Sequence, residues 1–100
     1  MTNHHAIADA IRGRKIITFS YDGHPRTAIP TAIGPHVSTR NDVFRGYQIA
    51  GTSKTRVVPL WDLFLVERVV DLQVTNEQVP TNPPGYQPND KHISPVEAQL

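Results

Sequence analysis

The chain has 100 residues, 38% of them hydrophobic and 19% charged, with a formal net charge of +1. This describes one globular domain rather than a disordered segment. No apolar run approaches the ~20 residues of a membrane span, and the absence of cysteine excludes a disulfide framework and a thiolate metal site. The first fifteen residues, MTNHHAIADAIRGRK, lack an apolar run of signal-peptide length, so a cytoplasmic address is expected. Charge is unevenly placed: residues 1–56 carry eight Lys/Arg against three Asp/Glu, and residues 57–100 carry two against six. Such asymmetry suits an anion-binding face if the two halves do not interleave in space.

In chain order, Asn3 is placed to cap a short amphipathic helix over 4–12, with Ile7 and Ile11 on its apolar face and Gly13 at a left-handed C-terminal cap. At nine residues this helix is marginal alone and must dock on the rest of the domain. Lys15 to Tyr21 (KIITFSY) alternates as a strand, with Ile17, Phe19 and Tyr21 on one face. Asp22-Gly23 follows, suited to the two positive-φ positions of a type I′ hairpin turn. The returning strand spans 26–37; Pro30 inside it removes a ladder donor and points to an edge or a sharply bent strand.

Val43 to Ala50 (VFRGYQIA) reads as a third strand with Arg45 and Tyr47 on one face. The most apolar stretch, Arg56 to Val74, supplies two further strands with the charged pair Glu67-Arg68 at the bend between them; its tryptophan, Trp61, is assigned to the core. Residues 77–100 hold five of the nine prolines and read as extended chain, with Ser94-Pro95-Val96-Glu97 shaped for a single terminal helical turn. Five short strands with short links suit a small, strongly bent barrel.

The ordered set AIRGRKIITFSYDG, the Pro30 strand, RGYQ, LFLVERV with DLQV, and the tail PPGYQPNDKHI resembles the WYL domain of bacterial regulators and phage-defence proteins. The resemblance implies an α+β, mainly β fold: a five-stranded Sm-like or SH3-like barrel with an N-terminal helix over residues 1–76, and a proline-rich tail over 77–100 packed on it. The naming tripeptide would fall at Asp42-Val43-Phe44, which does not keep it. Of the strand before the bend, Phe64, Glu67 and Arg68 match the family, whereas two arginines that help relatives bind anions are here Asp62 and Leu65.

The candidate binding residues follow from this set. Arg45 and Tyr47 could pair a cation with an aromatic platform for a stacked base, and Arg68 could fork onto a phosphate or carboxylate or form an ion pair with Glu67. Arg26 and Arg40, with Lys54 and Arg56, sit in or next to loops and could extend a nucleic-acid path. Arg12, Arg14 and Lys15 are accounted for by the helix C-terminus. There is no phosphate-cradling glycine loop, HExxH or nucleophile elbow. His4-His5 are poorly spaced as metal ligands and Asp90/His92 fall in irregular chain, so no catalytic residue, metal or cofactor is expected. The function implied is a non-catalytic module for a single-stranded nucleic acid, a nucleotide or another anion, in regulation or antiviral defence. The alternative is an interaction module that assembles with itself or a partner protein. A membrane partner is not expected.

Overall fold

The alternation in the first half of the chain builds a twisted antiparallel sheet, and the computed structural model describes it over residues 2–53 and 57–100. The elements are α1 (Asn3–Arg12), β1 (Lys15–Tyr21), β2 (His24–Pro35), β3 (Asp42–Gly51), β4 (Leu60–Leu65), a 3-10 turn at Val66–Arg68, β5 (Val70–Gln78) and β6 (Ala98–Gln99). The strand order is β4-β3-β2-β1-β5, with β6 added to β2. The architecture is therefore a small α+β domain, mainly antiparallel sheet, with one N-terminal helix. No helix among the described residues is long and apolar enough to cross a membrane.

The expected hairpin forms as its residues dictate: Asp22 and Gly23 take φ of 53° and 77° between paired β1 and β2. Ile17, Phe19 and Tyr21 are buried, as their shared parity requires. They meet Ile7 and Ile11 of α1 and the rings of Phe44 and Phe64 in one core. Phe64 is the hub, with ring centroids 5.2 Å from Phe19, 5.0 Å from Tyr21 and 5.1 Å from Phe44. Burying each such ring contributes about 1.5–3 kcal/mol, and each aromatic pair adds about 0.5–1.5 kcal/mol.

Several expectations are corrected. The helix cap is Thr2, whose hydroxyl accepts from His5 N, and Gly13 is right-handed (φ −85°) while Arg14 takes the left-handed position (φ 55°). Arg14 gains from this a hydrogen bond from Nε to Val79 O at 2.9 Å. Of the two readings of the Pro30 strand, edge or bent, the edge one fails, because β2 is a central strand. Its pairing with β1 reaches Ala28 and its pairing with β6 starts at Ala32, so Pro30 falls in the interval between them, beside a register shift against β3. β5 continues the most apolar stretch of the sequence yet is largely exposed, with Val70 at 55% and Val74 at 44%.

The tail makes no helical turn at 94–97. Ser94 N donates to Pro35 O, Glu97 N to Ile33 O and Leu100 N to Thr31 O, so its backbone donors are spent on β2. β1 and the tail thus share one edge of β2, and β3 holds the other. This docking requires Gly34: a Cβ there would stand 2.3 Å from Pro95 O and 2.7 Å from Ile93 Cγ2. Gly34→Ala is expected to destabilise the domain by about 1–3 kcal/mol. Hydrogen exchange should show the Ser94, Glu97 and Leu100 amides losing protection before those of β1.

Candidate functional site

The docked tail walls off a groove of about 330 Å³ over the second half of β2, with Thr31 and Ala32 among its lining residues. Strand alternation sets the opposite wall. Arg45 lies across from Leu63 and Tyr47 across from Trp61 in the β3–β4 register. Gly46 sits on the other face, where a Cβ would come within 3.3 Å of the Phe44 and Phe64 rings. The Tyr47 and Trp61 rings are 5.0 Å apart, tilted by 55°. Trp61 is only partly buried, because β4 is a sheet edge, and it lines the groove instead of filling the core. Trp61 Nε1 donates to Pro84 O at 2.9 Å. The chain can pass this close because Gly85 has φ +82°, and a Cβ there would meet Trp61 Nε1 at 3.2 Å.

The groove's polar centre is a three-residue network. Arg45 Nε donates to Asp90 Oδ2 at 2.7 Å, and Arg45 Nη2 donates to Asp90 Oδ1 at 3.4 Å and to His92 Nδ1 at 3.0 Å. The backbone N–H of His92 donates to Asp90 Oδ1 at 2.9 Å. His92 Nδ1 is therefore an acceptor, which in the neutral ring puts the proton on Nε2. The His92 ring stacks on His36, with centroids 6.1 Å apart. His36 Nδ1 accepts from Ser38 N, and His36 O accepts from Arg40 N, so Arg40 stands in the turn beside this stack. Lys91 lines the groove and is exposed.

Burial pushes the Asp90 carboxyl upward. The Arg45 hydrogen bond, the His92 backbone N–H and the positive charge of Arg45 outweigh that and hold it below the ordinary value of 3.8. Arg45 and Asp90 side chains are 22% and 10% exposed, so solvent and salt screen this pair less than they would a surface contact.

The remaining expected residues lie elsewhere. Arg26 is 4% exposed, not a loop cation. It donates to Gln48 Oε1 and to Tyr21 O, and its guanidinium sits 5.3 Å from the Tyr21 ring and 5.5 Å from the Phe64 ring. Burial lowers the pKa of the Arg26 guanidinium from its ordinary value, with the nearby Asp62 charge opposing. Arg68 pairs with Asp22 rather than with Glu67, and it covers the other contact of Tyr21 at 5.2 Å. Lys54 and Arg56 lie outside the described residues. Of the residues singled out from sequence, Arg45 lines the groove, Tyr47 packs on Trp61 beside it and Arg40 lies in the turn next to the His36–His92 stack, whereas Trp61, Asp90, Lys91 and His92 are not among the binding candidates. The available signal was the polar run Asn-Asp-Lys-His, residues 89–92, in a tail otherwise dominated by proline.

Comparison of the chain with protein-family models, with curated proteins and with solved structures found no match.

Because Asp90 has a depressed folded-state pKa, its contribution to stability is present above the unfolded value near ~4 and is lost as pH falls through the lower folded value. Asp90→Asn should therefore be less stable than the parent by about 2 kcal/mol at neutral pH. In urea titrations across the acid range that difference should shrink as pH falls below about 4.

Proposed function

We propose that this chain is a WYL-like, non-catalytic binding module, its sheet bent as a small Sm-like barrel, that takes a nucleic-acid-derived or other anionic ligand in the groove between β3, β4 and the tail. The observation that carries this reading is a convergence. Arg45, Lys91 and His92, far apart in sequence, line one groove with Trp61, against a single carboxylate, Asp90, that Arg45 already holds. An aromatic wall beside cations offers stacking to a planar base and charge to a phosphate, a sequence-tolerant mode of single-strand recognition. It replaces the route through the two arginines whose places hold Asp62 and Leu65. The setting proposed is cytoplasmic regulation or antiviral defence in bacteria or phage.

A second reading, a self- or partner-binding module, is favoured by one observation: β5 pairs with β1 on one edge and exposes Val70 and Val74. An edge strand of this kind can accept another strand.

The chain has one tryptophan, so its fluorescence reports directly on the groove. Titration with a short oligothymidylate should quench Trp61, with a log-log salt slope of about −1.4 if two phosphates are neutralised. Lys91→Ala should bring that slope to about −0.7. Unchanged Trp61 emission at millimolar oligonucleotide would remove the binding reading, and reversible self-association in sedimentation would then favour the second.

A further inference from the structure

Three side chains outside the groove meet where α1, the start of β3 and the approach to β6 come together: His4, Asp42 and Glu97. Their ligand-capable atoms all lie within 4.8 Å of one another. Local structure fixes each of them. Thr2 caps the helical turn that carries His4, Asp42 pairs with Pro35 at the end of β2, and Glu97 N donates to Ile33 O.

The two nitrogens of His4 face different carboxylates, Nδ1 at 2.6 Å from Asp42 Oδ2 and Nε2 at 3.5 Å from Glu97 Oε2. A neutral imidazole has only one N–H. The shorter contact is a hydrogen bond, which places that proton on Nδ1 and leaves the Nε2 lone pair facing a carboxylate oxygen. Two acceptors turned toward each other repel unless a cation, either a second ring proton or a metal ion, lies between them. A charge-assisted N–H···O bond would close to about 2.7–2.9 Å. Two ligands of one tetrahedral zinc ion, at bonds of about 2.0–2.1 Å, stand about 3.3 Å apart, close to the separation observed. Among the described residues, the ion pairs of Asp42 and Glu97 run to His4 alone, so neither carboxylate is neutralised by Lys or Arg.

We propose that His4 Nε2 and the Glu97 carboxylate bind a divalent cation of the zinc class, with Asp42 holding the imidazole in its coordinating tautomer through Nδ1–H. A carboxylate behind the metal-binding histidine is the usual way such a ring is oriented and made more basic. His4 and Glu97 side chains are 26% and 46% exposed, which admits the ion and the waters that complete its shell. The bound ion would tie α1 to the tail that walls the groove.

The test uses the untagged full chain at neutral pH, titrated with zinc by calorimetry and by thermal melting. Saturable binding, a rise in Tm and reversal by a chelator are expected. His4→Gln and Glu97→Gln should each abolish the response, Asp42→Asn should weaken affinity about 10-fold or more, and His5→Gln should leave it intact. Glu97 is on the surface, so Glu97→Gln keeps the test decisive if His4→Gln fails to fold. No heat and no Tm change at millimolar zinc would overturn the proposal. So would a response that survives in Glu97→Gln, or one lost in His5→Gln alone.

Discussion

The long second strand is what the rest of this structure depends on, because one of its edges is used twice. β1 pairs with its first part and the tail with its second, while β3 runs along the opposite edge for most of its length. Backbone groups buried in a sheet must find partners, and here the partners of Ile33, Pro35 and Thr31 come from a segment some sixty residues downstream. Everything at the groove follows from that docking: the placement of Asp90 against Arg45, of His92 against His36, and of Gly85 against Trp61.

The core and the groove are held by different physics. The interior is an aromatic cluster centred on Phe64, joined by the isoleucines of α1, and its stabilisation is mostly area removed from water. The groove is polar and pre-organised, its guanidinium and carboxylate locked by hydrogen bonds. Tyr21 joins the core to charged groups that lie away from the groove. Its ring packs on Phe64, its hydroxyl accepts from Leu65 N, and Arg26 and Arg68 each approach it as cations over an aromatic face.

What could be read from sequence was local. The Asp22-Gly23 turn, the alternation of β1 and β3 and the break at Glu67-Arg68 are set by neighbouring residues, and they appear within a few positions of where they were expected. The misreadings share a cause: they concern which neighbour an element finds across the fold. Trp61 sits among apolar residues yet faces the groove, since β4 is an edge strand and apolarity alone does not reveal order in a sheet. Ser94 to Glu97 has helical cap chemistry, but β2 offers open carbonyls that outcompete a single isolated turn. Arg26 looks like a loop cation in sequence and is buried because Gln48, Tyr21 and Phe64 close over it.

The tail that builds one wall of the groove also occupies an exposed ladder. Without it, carbonyls from Thr31 to Pro35 would lie along an open strand edge flanked by apolar side chains such as Ala32 and Ile33. Such an edge templates pairing between chains. The short β6, two residues long and preceded by Pro95, caps that ladder with little strand to propagate it further. The tail that reads as extended chain in the sequence thus also covers, in cis, the open edge of the chain's most paired strand.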